Sequence, residues 1–204
     1  FDIEPLSQRQ AIINPTREYD IIMSFTKKDL PINVDTIKGF LADDEGEALF
    51  AAAAKSITLG PCLEVGSYCG KSTVYLGAAC QQKNGIVYAI DHHRGSEEHQ
   101  LGEEYHDSDL FDAQAQLMDT FKEFRRVMRE AKLEDTVIPI VAASTLASTN
   151  WSTPLGMVFI DGGHSLDAAM ADYRAWAPHV SVGGILAIHD IFPDPTQGGQ
   201  APYT

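Results

Sequence analysis

The chain reads as an α/β protein built on a central, mostly parallel sheet with helices on both faces, and three observations predict it. Short apolar runs at 61–65, 86–90, 137–141, 157–160 and 185–188 alternate with stretches of helical pattern. That order gives parallel strands joined by crossover helices. The runs end on polar residues: Glu64 lies near the end of the first, Asp91 and Asp161 follow the second and fourth, and His189 and Asp190 follow the fifth. Parallel sheets bind ligands at the carboxyl ends of their strands, so these side chains are expected along one edge. The first run also leads straight into Gly66, where the backbone can turn tightly.

A chain of 204 residues with 44% apolar and 22% charged residues suffices for one domain with a substantial core. Residues 1–38, which carry Pro5, Pro15 and Pro31, read as an N-terminal arm or cap, and 39–204 as the core. Residues 44–56 (DEGEALFAAAAKS) are strong helix formers with acids at the start and Lys55 near the end, which suits the helix dipole. Residues 71–82 read as a second helix, closed by the turn signal Asn84-Gly85. A third helix is predicted over 111–131, where Leu117, Phe121, Phe124, Met128 and Ala131 recur at steps of four and three. A fourth spans 165–177, with Leu166, Met170, Tyr173 and Trp176 on one side. Residues 92–110 and the tail from Pro193 read as loop.

Net charge is −14, which repels nucleic-acid phosphates and anionic lipid surfaces, so neither is expected as a partner. The one dense basic stretch, Lys122, Arg125, Arg126 and Arg129, stands beside Glu123 and Glu130 and reads as a solvated helix face. Cys62, Cys69 and Cys80 match no disulfide framework or zinc spacing, and Cys62 and Cys80 read as small core residues. No apolar run approaches the roughly 20 residues of a membrane span, and the acidic opening Phe1-Asp2-Ile3-Glu4 is unlike a signal peptide. A cytoplasmic protein is expected.

The motif that carries most chemistry is Glu64-Val65-Gly66-Ser67-Tyr68-Cys69-Gly70-Lys71-Ser72. Its G-x-x-x-G spacing departs from the dinucleotide fingerprint G-x-G-x-x-G. Glu64 stands where a pyrophosphate would be repelled, and the upstream glycine is misplaced for a P-loop. A cationic or amine-bearing ligand suits Glu64 instead. Asp91, 27 residues further on and at the end of the next strand, is placed to accept hydrogen bonds from both hydroxyls of a ribose. A ribose with a sulfonium or ammonium group describes S-adenosylmethionine.

On these residues the stretch CLEVGSYCGKSTVYLG resembles the first motif of class I methyltransferases, with their Rossmann-like fold. More narrowly, it is similar to the cation-dependent catechol O-methyltransferase group. The resemblance implies that Glu64, Gly66, Ser67, Tyr68, Gly70 and Ser72 line the methionine part of the cofactor and that Asp91 holds the ribose. It implies further that Ala143 and Ser144, after strand three, border the adenine, and that Asp161 touches the cofactor.

Two further motifs, Phe159-Ile160-Asp161-Gly162-Gly163-His164 and Ala187-Ile188-His189-Asp190, follow apolar runs. Asp161 and Asp190 offer hard oxygens and His189 a nitrogen, donors suited to a divalent metal. In the resembling group an Asp after strand four and an Asp-Asn pair after strand five hold the metal. In register these are Asp161, His189 and Asp190, and the implied ion is Mg²⁺. The group's catalytic Lys, three residues past the strand-four Asp, corresponds to His164. Methyl transfer to a hydroxyl needs a proton acceptor, and imidazole, with an ordinary pKa of about 6.5, can serve.

The stretch from Phe159 to Asp190 also resembles a bacterial branch that includes sugar O-methyltransferases, among them the mycobacterial sugar 1-O-methyltransferases of methylmannose polysaccharide biosynthesis. That implies a sugar or short oligosaccharide acceptor, a partly methylated mannoside. Residues 92–110, dense in hydrogen-bonding groups and carrying Tyr105, suit a sugar-binding rim, or equally a solvated acidic lid. A phenolic or catechol acceptor and a non-catalytic adenosyl-ligand binding protein are the alternatives; Glu64 and the glycine spacing disfavour a nicotinamide-linked dehydrogenase. Class I enzymes add a helix and an antiparallel strand pair after strand five, whereas this sequence ends at Thr204. The edge so left would be exposed or covered by another chain; a homodimer is expected on general grounds.

Overall fold

The computed structural model describes residues 25–96, 102, 107–163, 165–192 and 194. Five strands form one sheet: β1 (Cys62–Val65), β2 (Val87–Asp91), β5 (Val137–Val141), β6 (Leu155–Ile160) and β7 (Val180–Ile188). Their order is β5-β2-β1-β6-β7, and every pairing is parallel. The helices are α1 (Asp43–Ser56), α2 (Lys71–Gln81), α3 (Phe121–Glu130), α4 (Ser144–Ala147) and α5 (Leu166–Trp176). This is the Rossmann-like architecture the sequence predicts. Among the described residues no helix is long and apolar enough to cross a membrane.

The central strands β1 and β6 are buried at every position, as near-continuous apolar runs demand of strands covered on both faces. Alternation along the strands feeds two cores. Cys62, Val87, Met157 and Phe159 pack with residues of α1, α2 and α3, such as Phe50, Leu76 and Phe124. Leu63, Val65, Ile90, Val158 and Ile160 pack with Trp176 of α5 on the other face. Cys62 and Cys80 are wholly buried with their sulfurs 3.5 Å apart, the small-residue role expected of them. Strand β5 is half exposed and tolerates Pro139, as an edge strand can.

Three elements differ from the sequence reading. Helix α3 begins only at Phe121, while Phe111–Asp112 (β3) and Leu117–Met118 (β4) pair as a small antiparallel ribbon. Between them Asp112 Oδ1 accepts the amides of Gln114 and Ala115 at 2.8 and 3.1 Å, and Gln116 adopts a left-handed backbone. A side chain that satisfies local amides competes with helix formation. Strand β7 starts at Val180, five residues before the apolar run. The short helix α4 has too few residues to show a period. On α3, Lys122, Arg125 and Arg129 are exposed and Arg126 bridges Glu123 and Glu130, so the basic stretch is the solvated face expected of it.

Residues 1–24 of the expected arm lie outside the described residues. From Phe25 onward the segment is packed: Phe25 stacks on Phe50 of α1 with ring centroids 3.4 Å apart, and Leu30, Val34 and Ile37 are buried in the α1–α2 core. Lys27 bridges Asp35 and Asp43 at the start of α1. Truncating Phe50 to Ala should destabilise the fold by about 3–5 kcal/mol in urea unfolding. A double-mutant cycle with Phe25→Ala should show about 0.5–1.5 kcal/mol of coupling from the ring pair.

Candidate active site

Strand β1 neighbours β2 on one side and β6 on the other. The chain runs outward from β1 to β2 and β5, then returns to continue through β6 to β7. Where the order reverses, the segments leaving β1 and β6 diverge and leave a crevice. The main-chain ladder carries the strands slightly further: Gly66 N–H donates to Ile90 O at 2.9 Å, Asp161 N–H to Val65 O at 2.8 Å and His189 N–H to Ile160 O at 3.0 Å. Gly66, Asp161 and His189 are thereby brought level at the mouth. At Gly66 (φ +86) a Cβ would stand 2.0 Å from the Asp161 carbonyl oxygen, so no other residue fits there.

The crevice encloses about 460 Å³, within the range of small-molecule sites. Gly66, Ser67, Tyr68, Ser72, Asp91, Ala143, Ser144, Asp161, His189 and Asp190 all line it, which gathers most of the side chains expected to act together. The Ser67 hydroxyl is buried there without a hydrogen-bond partner among the described residues, an unmet polar group facing a cavity. Asp91 is held by two main-chain amides, Tyr68 N–H to Oδ2 and His93 N–H to Oδ1, each at 2.7 Å. Both donors have left-handed backbone, φ 44° and 57°. A carboxylate accepts about four hydrogen bonds, so Asp91 keeps capacity for a ligand. His93 is itself buried between Phe121 and Phe124, and burial lowers its pKa.

Two residues of the glycine motif expected to touch the cofactor, Glu64 and Gly70, do not line the crevice. Glu64 points to the face of β1 covered by α2 and is fully buried. Its oxygens accept the hydroxyls of Ser72 and Thr73, each at 2.5 Å. Burial pushes its pKa up to about 8 despite those two bonds, with Asp161 and Asp91 adding to the rise. At neutral pH it is therefore largely protonated, not the exposed charge that the sequence suggests, and it reaches the crevice only through Ser72. Gly70 caps α2 with φ +93, and a Cβ there would press on Met128 and Phe124. Its role is close packing.

Asp161, His189 and Asp190 come together as an ion-paired cluster. His189 Nδ1 lies 3.2 Å from Asp161 Oδ1 and from Asp190 Oδ1, between them and squarely aligned with neither. Its Nε2 faces Glu45 Oε2 of α1 at 3.2 Å. Burial disfavours charge on the ring, but the three carboxylates outweigh it and push its pKa up to about 12. In this arrangement the carboxylates favour the protonated ring. Among the described residues no three His, Cys, Asp or Glu side chains are set to hold a metal ion. The trio implied as metal ligands does not fit that use as it is arranged.

His164, and within the 92–110 loop His99, Tyr105 and His106, lie outside the described residues. The sequence reading missed Asp172 and Lys38. Asp172 lines the crevice from α5, buried on the same face as Trp176, whereas Leu166 is exposed. The signal was its spacing, one helical turn from Ala168 and one from Trp176. Lys38, at the mouth, clasps Asp107 and Asp109 at 2.6 and 3.0 Å.

Residues 63–191 match the methyltransferase-domain family. The SAH-bound methyltransferase PaMTH1 of Podospora anserina superposes with a TM-score of 0.54 at 12% identity, over 75% of this chain and 55% of its own. Cofactor-bound Rv0187 from MTB gives 0.56 at 15%, over 83% and 70%. The O-methyltransferase TomG of Streptomyces achromogenes, involved in tomaymycin synthesis and solved with SAM, gives 0.54 at 15%, over 80% and 66%. This chain thus spans 55% to 70% of the length of these proteins, and at such identities the likeness is one of fold. With the family match covering more than half of its length, and with this sheet order around this crevice, the chain belongs to the methyltransferase-domain family and carries the class I methyltransferase fold.

Proposed function

We propose that the protein transfers a methyl group from S-adenosylmethionine to an oxygen nucleophile, a sugar hydroxyl in the reading favoured by the sequence. The observation that carries this is the pairing, in one crevice, of a Ser67 hydroxyl without a partner among the described residues and an Asp91 carboxylate fixed by two amides. Those groups suit the methionine and ribose parts of the donor, and Gly66 lets it approach the backbone. Selection for a sulfonium over a pyrophosphate falls to Asp91 and Asp161, which line the crevice, rather than to Glu64.

When bound, the donor supplies an electrophilic methyl carbon: an acceptor oxygen forms the new C–O bond as the C–S pair returns to sulfur. The acceptor proton must leave, and His164, three residues beyond Asp161, is assigned to take it, a role typically contributing roughly 10²–10⁴-fold. Asp161 and Asp190 pin His189, which keeps a fixed positive charge beside the crevice without a metal. No step is carried through the divalent ion implied by the resemblance.

Calorimetry should show binding of S-adenosylmethionine and none of NAD, and a transfer assay should favour methylated mannosides over catechols. His164→Ala should lower turnover at least about tenfold while leaving donor affinity nearly intact; unchanged turnover removes His164 from the reaction. Activity should survive EDTA. A loss restored by Mg²⁺ would return Asp161, His189 and Asp190 to a ligand role.

The Glu64 assignment has its own test. An ordinary Glu titrates near 4.5, and here the folded chain holds the proton to about 8. Between those values the native state binds the extra proton, so raising pH through that window removes stability. Glu64→Gln cannot titrate: its Tm should be flatter than the wild type's across that window, with donor affinity kept within about threefold, an energy difference below about 0.7 kcal/mol. A collapse of donor binding would restore Glu64 as a direct contact.

A further inference from the structure

The segment between Ile37 and α1 runs along the mouth of the crevice, and Lys38, Gly39, Phe40 and Leu41 line it. Apolar burial fixes its two ends. Ile37 is 3% exposed in the core, and Leu41 packs against the same core. Its middle lies on the glycine turn. A Cβ on Gly39 (φ +145) would stand 3.3 Å from Lys71 Cβ and 3.9 Å from the Tyr68 ring.

Polar side chains tie this middle to its surroundings. Lys71 Nζ donates to Gly39 O at 3.4 Å, a long bond. Lys38 Nζ donates to Asp107 Oδ2 at 2.6 Å and to Asp109 Oδ2 at 3.0 Å, both just before β3. The two acids do not line the crevice, whereas Gly95 and Ser96, which follow β2, do. The Lys38 contact therefore joins the segment entering α1 to the segment leaving β2, from opposite sides of the mouth. The Lys38 side chain is 33% exposed and that of Asp109 is 81% exposed, so water competes for the pair and it opens readily. Firm apolar ends with a weak polar catch between them are the parts of a gate.

We propose that Lys38 to Leu41 form a strap that gates the crevice, with the clasp of Lys38 on Asp107 and Asp109 as its catch. The inference rests on the reading of the crevice as a site for S-adenosylmethionine and adds the passage by which the donor enters and leaves. The catch joins protein to protein and is separate from Ser67 and Asp91, the groups assigned to hold the donor. Breaking it changes how often the mouth opens, not how tightly the donor is held once inside. A gate of this kind speeds entry and exit together, whereas loss of a ligand contact speeds exit alone.

Stopped-flow measurement of S-adenosylhomocysteine association and dissociation tests it. Asp107→Asn combined with Asp109→Asn, at two positions outside the crevice lining, should raise both rates at least about threefold, the size expected from losing two part-exposed ion pairs. The ratio of the rates, Kd, should stay within about twofold. Lys38→Met, which keeps the stem and removes the charge, should do the same and serves where the Asn variant does not fold. Adding it to the Asn pair should change nothing more, because one catch is lost either way. Salt at about 1 M, where screening acts within roughly 3 Å, should carry the wild-type rates toward those of the variants. Faster dissociation alone, with Kd weakened to match, makes these residues ligand contacts and overturns the gate. Unchanged rates in a folded variant overturn it too. Failure of wild type to bind S-adenosylhomocysteine overturns the donor reading itself and this inference with it.

Discussion

The contact between the backbones leaving β1 and β6 governs the rest of the molecule. At Gly66 the chain passes so near the Asp161 carbonyl that a single methyl group would collide with it. Two parallel neighbours whose continuations run to opposite sides of the sheet must approach and then part, and the space they leave is the crevice. Everything assigned to the donor hangs from that point. Ser67 and Tyr68 follow the glycine, Asp161 is the touching partner, and Asp91 and His189 end the flanking strands one step outward.

Much of this was legible in the sequence because it rests on local pattern. Apolar runs closed by Asp91, Asp161 and His189 located the strand ends to within a residue, and the glycine after the first run located the turn. What escaped was set by tertiary contact. Strand β7 runs through Gly183 and Gly184, outside the predicted apolar run 185–188; a Cβ on Gly184 would stand 2.7 Å from Gly156 O, so glycine marks a close crossing inside the strand. The ribbon at β3 and β4 hides under a helical period because Asp112 diverts the local amides. Asp172 looked like one more polar helix residue, and only its one-turn spacing from Trp176 hinted at burial.

Glu64 shows how strand alternation can turn a side chain away from the crevice that its place in a motif suggests. Its place before the first glycine suggested a charge facing the ligand. The side-chain alternation of a strand decides otherwise: Leu63 and Val65 face the α5 side, so Glu64 must face α2, where the hydroxyls of Ser72 and Thr73 receive it. The residue ties the first turn of α2 to β1, and so sets where Ser72 presents itself at the crevice. Asp91 and Asp161 line the crevice instead, and the proposed function gives the discrimination to them.

The hold on Asp91 bears on how such a site can drift in sequence. Its two donors are main-chain amides of Tyr68 and His93, not side chains. Their left-handed backbone geometry, rather than a phenol or an imidazole, orients the carboxylate. Inheritance at these two positions is therefore constrained by conformation more than by chemistry: Gly, Asn or Asp can replace either residue with the amide still aimed, whereas a β-branched residue would turn it away. A lineage could remodel the crevice walls there while the Asp91 carboxylate stays in place.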